Sequence, residues 1–255
     1  MAGDSTIIHQ FQVLQEFIML RSDFVPVVGD KAEIRQKYEV SYGGTPSEAG
    51  SVTFHFVRVL EGCMMAPHNP LVPNAYAIYF GCGMHLLHLT PCMGPHNFGA
   101  AMYNWLHYEE VMEAVIKQYR VRNKQLKLLF MTNHHIDVSK YFGAWSAAVE
   151  GYSREDEHYM NMCKKKLNDS LLPQDAEGAN LGHICLETLF TDVGVRGLNQ
   201  RALPLMQGLG VDMVPGHTLT EGESWATSVG DGRHYPLLVP VELEWFLVTL
   251  EMSRI

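Results

Sequence analysis

Two hydrophobic rhythms alternate along this chain, and each predicts its own kind of element. Ile7, Ile8, Phe11, Leu14, Phe17 and Ile18 recur every three to four positions, predicting an amphipathic helix over 6–20. From 21 to 50 the pattern breaks into short polar pieces around Gly29, Gly43 and Gly44, which read as loops with room for a short hairpin. The β-branched and aromatic run 52–60 predicts a strand, and the apolar runs 75–80 and 126–131 predict two more. Between those two, Trp105, Tyr108, Met112, Val115, Ile116 and Tyr119 keep helical spacing, predicting a helix over 98–119. Residues 152–169 place acidic groups early and lysines late, the order that suits a solvated helix. Leu198, Ala202, Leu205, Met206 and Leu209 predict another helix, carrying Pro204 at some strain, followed by a short strand over 210–214. Residues 219–229 lead into a turn at 231–234, and an apolar helix over 237–252 ends the pattern.

Strands alternating with helices are the signature of a mostly parallel sheet covered on both faces, with ligands taken at the carboxyl ends of its strands. The expected fold class is therefore α/β, a three-layer α/β/α sandwich around a mostly parallel central sheet. Its 255 residues suit a single domain over 1–255 with a sizeable core, and the loop-rich 138–195 reads as a lid or insertion.

Composition narrows the partners. Hydrophobic residues make up 47% and charged ones 18%, a globular mixture. The formal charge of -9 disfavours polyanions, so nucleic acid and anionic membrane surfaces are not expected. No run approaches the roughly 20 apolar residues of a membrane helix, and no signal peptide is visible at the start. Five cysteines without a Cys-x-x-Cys pair indicate neither a zinc ribbon nor a dense disulfide framework, and leave one or two bridges open.

Candidate chemistry sits at the two ends of the chain. A serine hydroxyl becomes a nucleophile when an imidazole takes its proton and a carboxylate holds that imidazole in the right tautomer. Gly3-Asp4-Ser5-Thr6 supplies the serine, and Gly230-Asp231-Gly232-Arg233-His234-Tyr235 supplies Asp231 and His234, three residues apart on one turn. Two further residues follow strands: Gly83 after 75–80, and Asn133 after 126–131. Glycine lets a backbone N–H approach an oxyanion unobstructed. Taken singly, each piece has an ordinary reading as a turn or helix cap.

Taken in order, these pieces resemble the GDSL/SGNH hydrolase superfamily. The resemblance implies Ser5 as nucleophile, His234 as base and then acid, and Asp231 as its orienter. It implies Gly83 and Asn133, with the Ser5 N–H, as oxyanion donors. Gly-Asp-Ser-Thr, Gly-Cys-Gly-Met-His at 81–85 and Gly-Asp-Gly-Arg-His-Tyr-Pro at 230–236 are similar to the PC-esterase and trichome-birefringence-like group. That group acts on O-acyl, usually O-acetyl, groups of polysaccharides and glycoproteins, as esterases or acetyltransferases. The implied partner is thus a small-molecule or carbohydrate ester, with no cofactor and no metal, and with His85, His134 and Trp225 lining the substrate pocket. The family's nucleophile ends a buried strand, whereas only Met1 and Ala2 precede Gly3. The expectation is either a missing first strand or a serine held by the helix after it. An upstream signal or anchor lost with that strand would put the protein in the Golgi lumen or outside the cell; otherwise it would be cytoplasmic.

Two other readings stay open. One is a catalytically silent carbohydrate-binding protein of the same fold. The other is a metal-dependent hydrolase using His134, His135 and Asp137, whose side-chain types suit zinc or iron.

Overall fold

The computed structural model describes residues 2–3, 6–7, 10, 13–14, 24–27, 35–42, 50–58, 76–81, 83–87, 105–141, 157–170, 180–188 and 191–252. Its strands are β1 (Ala2–Gly3), β2 (Phe24–Val27), β3 (Arg35–Tyr42), β4 (Gly50–Arg58), β5 (Ala77–Gly81), β6 (Lys127–Met131) and β7 (Asp212–Val214). They form one sheet in the order β2-β3-β4-β1-β5-β6-β7. β1 pairs parallel with both β4 and β5, and β5, β6 and β7 continue the parallel run. β2, β3 and β4 pair antiparallel. Pro26 is tolerated because β2 lies at the sheet edge, where a missing N–H breaks no central ladder.

The helices are α1 (Tyr108–Arg122), α2 (Glu157–Ser170), α3 (Leu181–Glu187), α4 (Asp192–Gly208), α5 (Gly216–Thr220) and α6 (Val239–Met252), and Thr6, Ile7, Gln10, Val13 and Leu14 are also helical. Successive strand residues point to opposite faces, and on β5 and β6 both faces are apolar. Ile78, Phe80, Leu128 and Phe130 enter one buried cluster with residues of α1 to α4. Tyr79, Leu129 and Met131 enter a second, with Ile7, Leu14, Val214, Val239, Leu243 and Phe246. Strands apolar on both sides are what a parallel sheet with helices on each face requires. The fold is accordingly α/β.

α1 begins at Tyr108, with Trp105 and Leu106 just before it also helical; the first part of the expected helix, 98–104, lies outside the described residues. α4 begins earlier, at Asp192, because Val195 extends the buried stripe of Leu198, Ala202 and Met206 by another turn. Pro204 lies on the exposed face of α4, so the carbonyl left without its helical partner is open to water. Within 138–195, Cys163 and Leu167 of α2 and Ile184 and Cys185 of α3 are buried in the main cluster. A Cys163–Cys185 disulfide joins α2 to α3. Among the described residues, no helix is long and apolar enough to cross a membrane.

Candidate functional site

Strand register brings the chemistry-bearing loops to one edge of the sheet. Gly3 of β1 aligns with Gly81, Gly81 with Met131, and Met131 with Val214. The chain therefore leaves the sheet at one level toward Ser5, Gly83, Asn133 and Gly216. Ser5 itself lies outside the described residues, between Gly3 of β1 and the helical, buried Thr6. Ile7 packs against β5: a Cβ on Gly81 would lie 2.9 Å from Ile7 Cδ1, so a larger residue there would make the isoleucine shift.

Gly83 and Asn133 meet. Gly83 has φ +121°, a conformation side chains rarely adopt, and a Cβ there would lie 3.0 Å from Asn133 Nδ2. Asn133 is buried and held by Asn199 of α4: its N–H donates to Asn199 Oδ1 at 2.9 Å, and its Nδ2 donates to the same oxygen at 3.2 Å. Asn199 Nδ2 returns a bond to the Asn133 carbonyl at 3.0 Å. A primary amide carries two N–H groups, so Asn199 fixes the Asn133 amide while using only one of its donors.

Asp231 and His234 also meet, at 2.8 and 2.9 Å from the two carboxylate oxygens to Nδ1. Their turn is pinned to the short helical turn Val138–Lys140: Gly230 N–H donates to the Lys140 carbonyl at 2.6 Å, and Asp137 N–H donates to the Gly232 carbonyl at 2.7 Å. Gly232 has φ +67°, and a Cβ there would lie 2.3 Å from the Asp137 carbonyl oxygen. Burial raises the Asp231 pKa, but hydrogen bonding and charge from His234, with Arg233, outweigh it and leave the carboxyl below its ordinary value. The group stays ionised at neutral pH and faces Nδ1 of the imidazole.

His134, expected to meet substrate, is instead 1% exposed and points inward. Its Nε2 lies 2.7 Å from Glu242 of α6, and its Nδ1 lies 3.3 Å from the Arg233 carbonyl. Glu242 is 0% exposed and also accepts from Gln10 at 2.5 Å. Burial pushes the Glu242 pKa up, while the His134 charge and the bonds from His134 and Gln10 bring it below the usual value. Asp137 turns elsewhere, to the hydroxyls of Ser139 and Ser224. The candidate ligands His134, His135 and Asp137 thus take three separate sets of partners. Trp225 is 65% exposed and donates from Nε1 to Glu223. The backbone of His85 lies in the short helical turn Met84–Leu87; its side chain is outside the described residues.

Three positioning residues escaped the sequence reading: Gln10, Asn199 and Glu242. Each is polar yet falls within an apolar helical stripe, and that interruption was the available signal. No protein-family model, curated protein or solved structure matches the chain.

Proposed function

We propose that the protein is a serine-dependent ester hydrolase or acyltransferase acting on O-acyl groups, expected to be O-acetyl groups of carbohydrate, in a three-layer α/β/α sandwich of the GDSL/SGNH kind. The observation that carries the reading is the meeting of Gly83 and Asn133 at the level where β1 delivers Ser5. A backbone N–H beside a rigidly held amide is the donor pair that an oxyanion needs.

In this reading the Ser5 hydroxyl attacks the acyl carbon while His234 Nε2 takes its proton. Asp231 holds Nδ1–H and stabilises the imidazolium. The tetrahedral oxyanion accepts from the N–H groups of Gly83 and Ser5 and from Asn133 Nδ2. As the carbon–oxygen bond to the leaving alcohol breaks, His234 returns the proton to that alcohol, leaving acyl-Ser5. Water then completes hydrolysis, or an acceptor hydroxyl completes transfer, each deprotonated by His234. The exposed face of Trp225 suits stacking on a sugar ring.

Turnover of p-nitrophenyl acetate, with and without an oligosaccharide acceptor, tests the reading. Ser5→Ala should abolish turnover and fluorophosphonate labelling, while Asn133→Ala should retain a residue after a loss of about 10²–10³-fold. Acetate release unaffected by acceptor favours the hydrolase. Parental activity in Ser5→Ala rules out the mechanism; folded protein that never labels and never turns over favours the silent carbohydrate-binding reading.

A further inference from the structure

His135, Asp192 and His217 form a second convergence of chemistry, apart from the Asp231/His234 pair. One donor atom from each lies within 4.8 Å of the others, and this is the group of metal-ligating side chains found among the described residues. Asp192 Oδ1 lies 2.6 Å from His135 Nδ1 and 2.9 Å from His217 Nε2. The two rings stand nearly perpendicular, their centroids 5.8 Å apart.

The three residues come from three places in the fold: the segment after β6, the first residue of α4, and α5. Each histidine backbone is fixed independently. His135 N–H donates to the Thr220 hydroxyl at 2.8 Å, and His217 N–H donates to the Thr132 hydroxyl at 3.1 Å. One outer partner of the kind that orients a ligand is in place: Arg196 donates to the other Asp192 oxygen at 2.5 Å, while Glu221, 3.9 Å from His217 Nδ1, lies beyond hydrogen-bond distance. The side chains remain 14–21% exposed, so solvent reaches the group and can fill an open position.

We propose that His135 Nδ1, Asp192 Oδ1 and His217 Nε2 bind one divalent transition-metal ion, with zinc the best match. Two imidazoles and a carboxylate suit zinc or iron rather than calcium or magnesium, which prefer all-oxygen shells. Three protein ligands with one open position is the arrangement of accessible zinc sites. The competing arrangement is a purely hydrogen-bonded trio in which Asp192 accepts from both rings. The ion would tie α4 and α5 to the end of β6, and no residue of the proposed ester chemistry is among its ligands.

Zinc chloride titrated calorimetrically into chelator-treated, dialysed full chain tests the site. One equivalent should bind, the melting temperature should rise with zinc, and His135→Gln/His217→Gln should weaken binding by roughly 100-fold or more and abolish the rise. Circular dichroism checks that the double variant folds; should it not, Asp192→Asn provides the same comparison. Cobalt in the parent should give the visible absorption of a four-coordinate nitrogen/oxygen site. Absence of binding, or equal binding by parent and variant, leaves only the hydrogen-bonded trio. Fluorophosphonate labelling of Ser5, measured on the same samples, fails only if the esterase reading fails.

Discussion

At Gly83 the backbone and a neighbouring side chain both exclude substitution. Its φ of +121° and the 3.0 Å approach of Asn133 Nδ2 to a would-be Cβ mean that alanine must strain the turn and push the amide away. Gly83→Ala should lower kcat on p-nitrophenyl acetate by about 10²–10³-fold if the oxyanion donors are displaced, with a stability loss of about 1–3 kcal/mol. Parental kcat in a destabilised Gly83→Ala protein would separate the turn from the chemistry. Asp231 carries a pH signature of its own. Because its folded pKa is depressed, its ionisation stabilises the fold above the unfolded value of about 3.9, and that contribution is lost as pH falls through the folded value. Urea midpoints of the parent and Asp231→Asn should therefore differ at about pH 5, and the difference should shrink as pH falls below about 4. A difference that is already absent at about pH 5 would contradict the depressed carboxyl.

Elements, rather than single residues, link the helical stretch after β1 to the turn that carries Asp231 and His234, and α6 is the one that joins them. Glu242 reaches Gln10, five residues past Ser5, and His134, which touches the carbonyl of Arg233 beside His234. Removing one member of such a buried pair strands the other. Glu242→Leu should cost about 3–5 kcal/mol, and His134→Leu/Glu242→Leu clearly less, by chemical denaturation. Equal costs would mean that the network is not coupled. This linkage was only half legible in the sequence. Helix was legible at the described positions between 6 and 14 and over Val239–Met252 because Ile7 and Leu14, or Val239, Leu243 and Phe246, keep helical spacing; residues 15–20 of the first expected helix lie outside the described residues. Their polar members were passed over, since a lone Gln10 or Glu242 in a stripe does not name its partner across more than two hundred residues. β2 and β3 pair antiparallel within 21–50, where the sequence reading left room for a short hairpin. The length of β3 was not legible, because Tyr38, Val40 and Tyr42 alternate with Lys37, Glu39 and Ser41, a strand rhythm hidden among polar residues.

For the whole molecule, the parallel centre was legible because β5 and β6 are apolar on both faces, a pattern that leaves few alternatives to burial between helices. The place of β1 was not: two residues carry no periodicity, and only pairing with β4 and β5 identifies Ala2–Gly3 as a central strand. Nor could five cysteines disclose that Cys163 and Cys185 would meet. The Cys163–Cys185 bridge spans a sequence separation of 22 and fastens α2 and α3 to the cluster that covers one face of the sheet. Closing a loop of that size removes freedom from the unfolded chain equivalent to about 3 kcal/mol. In a protein of this length each kcal/mol moves the melting temperature by roughly 2–4 °C. Both cysteines are also buried, so their alanine replacements add a packing loss to the lost cross-link. Cys163→Ala/Cys185→Ala should therefore melt at least about 6–12 °C below the oxidised parent by calorimetry. Reductant should lower the parent toward the variant, and oxidised parent melting with the variant would show that the bridge is not formed.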